Sequence, residues 1–388
     1  MIIDKTLFVK TESVRAVTLP AKSVGFILKH RYASRFVWSR PGRKSVYPDP
    51  TDPAKSRILL VNNDLPSDIK DAIPTGETTF EIRTSYDDFN TEEALRILIP
   101  DMPDRPTSFE TVGHIAHMNL RDEFLPFKEV IGQVIIDKNK HINVVVTKVG
   151  TLSNEFRTFD MEIIGARTAD RSLLATVSEN KMRLTVDYQK CYWNSRLSFE
   201  RERLIKKFLG SESQSNRLVD MCCGIGALAC FAAREGMEVF ANDLNPGAIA
   251  CARTNAMANK VNPEFYNMDA REFVRSLVKD GKLGESKTNH VMINLPENGI
   301  EFLDVFNRLF ESEDQLGGNE FRIYCHCFSK DNSADISERV NRAIRAVPDG
   351  IPDIKTVHVR DVAPNKIMYS VEFVVPRNIL ISAKKVRL

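Results

Sequence analysis

The chain has 388 residues, 43% of them hydrophobic, which is enough for two or three domains with cores of their own, and its net charge is only +2. No apolar run reaches the roughly 18 residues of a membrane helix, and the start MIIDKTLFVKTESVRAV has no continuous apolar signal core, so neither a membrane protein nor a secreted one is expected. Seven cysteines without a CxxC pair argue against a disulfide framework and structural zinc, and so for a reducing compartment such as the cytoplasm.

Charge is distributed unevenly along the chain. Residues 1–48 carry ten basic side chains, from Lys5 to Lys44, against Asp4 and Glu12, and a run of acids from Asp49 to Asp104 follows. Such a head can bind phosphate, the alternative being an ordinary solvated face. Turn-rich RPGRKSVYPDPTDP and the three prolines of PDMPDRP set off residues 1–105 as a small domain. In residues 106–188 a helical PFKEVIGQVII is followed by the strand patterns INVVVTKVG, RTFDMEIIG, SLLATVSEN and KMRLTVDY, an α+β module whose last two strands meet in a tight turn at Glu179-Asn180.

Strands and helices then alternate through residues 189–388, which predicts a mostly parallel sheet covered on both faces. VDMCCGIGALACFAAREGMEVF, continuing into ANDLNP, reads as strand, glycine turn, helix and second strand. Gly224 and Gly226 remove side chains where backbone meets a ligand, and the helix after Ala227 turns its unpaired N–H groups toward it. Asp243 follows the turn by about 20 residues, where a carboxylate can accept hydrogen bonds from a ribose. The third glycine of a dinucleotide fingerprint falls at Ala229, so a dinucleotide stays open. Asn245 followed by Pro246 predicts a helix start. EFYNMD, HVMINLP and FRIYCHCF supply further strands, and IKTVHVRDV with KIMYSVEFVVP forms a closing hairpin typical of methyltransferase sheets. NLP at Asn294 to Pro296 resembles the turn that amino-methylating, S-adenosylmethionine-dependent enzymes set beside a planar target nitrogen. Cys325-His326-Cys327 alternates across a strand, the thiols on one face and the imidazole on the other, which reads as a buried strand and not a metal site. On spacing alone Glu200, Arg201, Glu202 and Arg203 read as an ordinary charged helix face.

In order, HMNLRDEFLPFKEVIGQVIIDKN, VVTKVG, NEFRTFDMEIIG, YWNSRL, DMCCGIGALA, ANDLNP, NLPENGIEFLDVF and VRDVAPNKIMYSVEF resemble the eukaryotic and archaeal tRNA guanine N1-methyltransferase family that modifies position 37, over roughly Phe109 to Pro376. The resemblance implies a Rossmann-like S-adenosylmethionine-dependent α/β domain preceded by an α+β module and a small N-terminal domain, tRNA as partner, and a monomer. It implies methyl transfer to N1 of the guanosine 3′ to the anticodon, which supports reading-frame maintenance and provides the first step of wybutosine synthesis. Guanine N1 must lose a proton to attack, so a carboxylate base and a cation near O6 are needed. The resemblance maps the base to Glu200, ahead of Glu202, and the cation to Arg157. Asn294 completes the catalytic set. Cofactor contacts map to Arg201, Asp220, Gly224, Gly226, Asp243, Leu244, Asp269, Ala270 and Asn294, and guanosine contacts to Tyr192, Arg196 and Pro296. Cys222-Cys223 and Ala227-Leu228 depart from the family's Phe-Ala and Pro-Phe around the glycines, and Glu297 departs from its more apolar residues after NLP. Rival readings are the paralogous aminocarboxypropyl transferase of wybutosine synthesis, a non-catalytic tRNA-binding protein and a nicotinamide dehydrogenase. The base and cation count against the first, intact Asp243, Asn294 and Glu200 against the second, and NLP with the closing hairpin against the third.

Overall fold

The computed structural model describes residues 3–40, 42–149, 160–210, 216–283, 287–330, 333–345 and 351–381. Contacts separate two units: Met1–Glu110 with Ala116–Thr147 and Glu162–Arg171, and Thr111–Ile115 with Lys148–Met161 and Ser172–Leu388.

In the first unit, β1 (Lys10–Pro20), β2 (Val46–Pro48), β3 (Ser56–Leu60) and β4 (Gly76–Thr84) form an antiparallel sheet in the order β2-β3-β1-β4. A helix over Thr91–Leu98 starts in a capping box, in which Asn90 Oδ1 accepts the Glu93 N–H and the Glu93 carboxylate accepts the Asn90 N–H, both at 2.9 Å. Its Ala94 and Leu95 share one buried cluster with Phe8, Tyr86 and Phe89 and with Ile131, Val134 and Ile135 of the helix Lys128–Lys138. Residues on both sides of position 105 therefore share a core, and the boundary expected there does not divide the packing. Strands β5 (Glu110–Val112), β6 (Ile115–Met118), β7 (Val144–Val149) and β8 (Asp160–Ala166) make another four-stranded sheet in that order.

The second unit opens with the hairpin β9 (Leu174–Glu179) and β10 (Met182–Asp187). Glu179 pairs with Met182, so the turn residues are Asn180 and Lys181, both at positive φ (48° and 59°), one position later than the expected Glu179-Asn180. Two left-handed residues match the right-handed twist of the strands they join.

Strands β11 (Asn216–Asp220), β12 (Glu238–Asn242), β13 (Glu264–Tyr266), β14 (Thr288–Ile293), β15 (Glu320–Ser329), β16 (Lys355–Ala363) and β17 (Lys366–Val374) form a seven-stranded sheet in the order β13-β12-β11-β14-β15-β17-β16. The first five are parallel, and β17 runs antiparallel to both β15 and β16, which is the closing hairpin read from the sequence. Every residue of β14 is buried, as expected of a central parallel strand covered on both faces. Because β12 and β14 flank β11 on opposite sides, the chain order reverses there, and the crevice outside the carboxyl ends of these strands is where open α/β sheets bind ligands.

Candidate active site

A cavity of about 520 Å³ lies in the second unit, in the range of small-molecule sites, and is lined from both sides of that switch point. After β11 come Met221 to Ile225, after β12 come Asp243 to Asn245, and after β14 come Asn294 to Asn298.

The glycine turn is shaped for close approach. Gly224 sits at φ 55°, and a Cβ built on it would meet no protein atom within 4 Å, so the space in front of it belongs to the cavity. Its N–H donates to Asp243 Oδ2 at 2.8 Å, while the Asn245 N–H donates to Asp243 Oδ1 at 2.9 Å. Burial pushes the Asp243 carboxyl above its usual range, against those two bonds. Each carboxylate oxygen retains acceptor capacity, which suits a vicinal diol. Asp269 caps the helix Ala270–Lys279, its Oδ1 accepting the Arg271 and Glu272 N–H groups at 2.8 and 3.2 Å, and Asp269, Ala270 and Leu244 all line the cavity. An open glycine backbone, a ribose-compatible acid and a second acid one strand over fit an adenosine cofactor.

Two of the proposed cofactor residues lie behind the wall instead. Gly226, at φ 76°, would bring a Cβ within 2.9 Å of Ala252 Cβ, so its missing side chain serves the packing of one helix on another, not the ligand. Asp220 is buried and does not line the cavity. Burial pushes its carboxyl up to about 7, with a Cys222 N–H bond opposing and the charge of Asp243 adding to the rise.

Tyr192 and Arg201 line the cavity, and Arg201 is already committed: Nε and Nη2 each lie 2.6 Å from the carboxylate of Glu179, and the guanidinium sits 5.0 Å from the Trp193 ring centre. Arg196 is exposed and outside the lining. Arg157 lies outside the described residues.

At the Asn294 turn, the Leu295 carbonyl accepts from the N–H groups of Asn298 and Gly299 (3.1 and 2.6 Å), and the Pro296 carbonyl accepts from Phe328 at 2.9 Å. These carbonyls hold the turn, and Asn294 lines the cavity together with Glu297 and Asn298. Asn294 Oδ1 lies 2.9 Å from Nδ1 of His326, whose Nε2 lies 3.2 Å from Glu200 Oε1. Glu200 is buried on the first turn of the helix Ser198–Leu209, one imidazole behind the cavity wall and not on it. Arg203, one turn along, clamps both its oxygens at 2.7 Å and also reaches Glu372 of β17 at 2.7 Å; Lys207 completes the group on Glu372. Burial raises the Glu200 carboxyl, but the bonds from Arg203 and His326 outweigh it and hold the group below the usual carboxylate range. Glu202, by contrast, pairs with Lys206 on the outer side. His326, Arg203 and Glu372 were missed as members of the site. The available signal was an imidazole in the middle of a strand, on the face opposite two fully buried thiols.

Residues 175–316 match the TRM5/TYW2 methyltransferase domain and residues 92–168 the TYW2 N-terminal domain. The chain is 36% identical to the tRNA (guanine(37)-N(1))-methyltransferase of Phytophthora infestans over 99% of its own length and 94% of the relative's. It is 34% identical to the enzyme of that name from Mus musculus (96% and 77%) and 32% identical to that from Schizosaccharomyces pombe (97% and 94%). Its fold is shared with Trm5b from Pyrococcus abyssi (TM-score 0.61, 21% identity, 93% of this chain and 99% of that one) and with the aTrm5 chain solved in complex with tRNALeu (TM-score 0.67, 18% identity, 93% and 99%). With a relative more than 30% identical along almost the whole chain, and the cradle, the Asn294 turn and the closing hairpin in their places, this chain belongs to the tRNA (guanine(37)-N(1))-methyltransferase family.

Proposed function

We propose that this chain does what its family does, transferring a methyl group from S-adenosylmethionine to N1 of guanosine 37 in tRNA. The observation that carries the reading is one cavity with a nucleoside cradle at Gly224, Asp243 and Asp269 and, facing it across the switch point, the Asn294 turn backed by His326 and Glu200. S-adenosylmethionine, when bound, supplies an electrophilic methyl group, so no covalent enzyme intermediate is needed.

The residues of this chain bind, orient and take up a proton. Asp243 and Asp269 hold the cofactor's sugar and base. Asn294, Pro296 and Tyr192 hold guanine, whose entry requires it to leave the anticodon-loop stack. Glu200 takes the N1 proton, and Arg157 stabilises the charge that develops on O6. A carboxylate held below its usual range is a weak base. It suffices because a cation at O6 lowers the proton affinity of N1, so that the proton leaves as methyl transfer begins, and because Glu200, one imidazole behind the wall in the free structure, reaches N1 as contacts tighten around bound substrate.

The basic head supplies phosphate contacts. Lys22, Lys29, Arg31 and Arg35 are exposed, and Arg31 and Arg35 stack on Tyr32 at 4.7 and 4.8 Å. Replacing these four by Ala should weaken tRNA binding and flatten its salt dependence without changing the preference for guanosine. We further propose that the enzyme acts as a monomer in a reducing compartment, the cytoplasm, nucleus or mitochondrial matrix; no helix among the described residues is long and apolar enough to cross a membrane.

The decisive experiment is nucleoside mass analysis of tRNA transcripts incubated with the pure protein and cofactor. A gain of one methyl on guanosine 37 is expected. A gain of an aminocarboxypropyl group would favour the rival transfer, and no modification would refute both.

A further inference from the structure

We propose that His326 is a positioning residue that sets which end of the Asn294 carboxamide faces the base, and thereby makes the enzyme choose guanine over adenine. The inference rests on the methyl-transfer reading above and names a residue in β15 that does not line the cavity.

Three observations carry it. Asn294 Oδ1 is taken by His326 Nδ1 at 2.9 Å, while Asn294 Nδ2 has no partner among the described residues although Asn294 lines the cavity. His326 is only 2% exposed, and its other nitrogen is held 3.2 Å from Glu200. Glu200 is itself gripped by Arg203 through two bonds of 2.7 Å, so the imidazole cannot turn without losing its contact with a fixed, buried carboxylate. Asn294 Oδ1 can only accept, so at 2.9 Å it takes the hydrogen of His326 Nδ1. The Asn294 amide is thereby fixed with its two N–H donors turned from the histidine toward the ligand.

Guanine carries an acceptor at C6 and adenine an amino donor there. A fixed donor bonds O6 of guanine and grows more favourable as negative charge develops on O6 with loss of the N1 proton. Against adenine it faces another donor, which leaves two polar groups unpaired in a desolvated site. An amide free to turn over would present its oxygen to adenine and lose that discrimination.

The test compares kcat/KM on otherwise identical tRNA transcripts carrying G37 or A37, for the full chain and for His326→Leu. The G37 rate of the variant should fall about tenfold, mostly in kcat, and the G37/A37 ratio should fall about tenfold or more, with cofactor affinity unchanged; the loss of one hydrogen bond to a developing charge is of this size. His326→Gln, which keeps an N–H donor, should restore most of the ratio. An equal loss on both transcripts, leaving the ratio unmoved, would show a merely structural role and overturn the proposal. If His326→Leu does not fold, Asn294→Asp reads the same quantity, since a carboxylate offers the base only acceptors; an unchanged ratio there overturns the proposal as well. Failure of the wild-type chain to methylate G37 would instead refute the methyl-transfer reading, so the two failures are distinguishable.

Discussion

At the Gly224 end of the cavity the polar groups are held by nearby backbone, whereas behind Asn294 they are held by side chains from distant parts of the chain. Asp243 is oriented by the N–H groups of Gly224 and Asn245, and Asp269 by those of Arg271 and Glu272. Glu200, His326, Arg203 and Glu372 instead come from one helix and two strands, Glu200 and His326 standing 126 positions apart and Arg203 and Glu372 169 positions apart. The first kind of site depends on local conformation and should lose function in separable steps. The second is a buried ionic network, in which removing one member leaves another unpaired and effects do not add.

The largest expected effect tests the network. Glu200→Gln should lower single-turnover methylation about 10²- to 10⁴-fold with both substrates still bound. Glu202→Gln, which alters only a contact with Lys206, should leave the rate near wild type. Equal losses in the two would break the contrast, because the buried carboxylate would then have no special part.

Next in size is the cradle. Asp243→Ala should reduce cofactor affinity by charge-assisted bonds worth roughly 1.5 to 3 kcal/mol each, read by titration calorimetry. Asp243→Asn should lose less. If the Ala variant bound the cofactor as well as wild type, Asp243 would only be bracing the glycine turn.

Asp220 gives a pH signature that belongs to the sheet and not to either end of the cavity. Its folded pKa is about 7, above the ordinary 3.8, so the unfolded chain releases this proton first as pH rises. The group's contribution to stability is therefore complete below about pH 4 and lost as pH climbs through about 7, with a slope of up to about 1.4 kcal/mol per pH unit in between. Asp220→Asn should flatten that slope in denaturant melts; an unchanged pH profile would show that Asp220 is ionised in its buried site.

The smallest effects separate the two glycines. A left-handed Ala costs about 1 to 2 kcal/mol at either position. Gly224→Ala should also place a methyl group in the cavity and weaken cofactor binding with a modest change in melting temperature. Gly226→Ala should destabilise the fold more, since its Cβ would press on Ala252, and should leave affinity in the folded fraction intact. The reverse pattern would exchange the roles assigned to them.

Local chemistry made much of this molecule legible in its sequence. The glycine turn, the Asn245-Pro246 helix start, the Glu238–Asn242 strand ending at Asp243 and the closing hairpin all follow from short-range signals: positive φ, capping and strand periodicity. The resemblance supplied the reaction and pointed to Glu200, yet it could not say that Glu200 would be clamped by Arg203 and placed behind His326. Nor could it show that Gly226 packs on Ala252, or that the residues flanking position 105 share a core. Those outcomes depend on which elements the parallel sheet brings side by side. The β14–β15–β17 neighbourhood sets Asn294, His326 and Glu372 around one helix, and long-range pairing of this kind leaves no periodicity or spacing in the sequence from which a partner could be read.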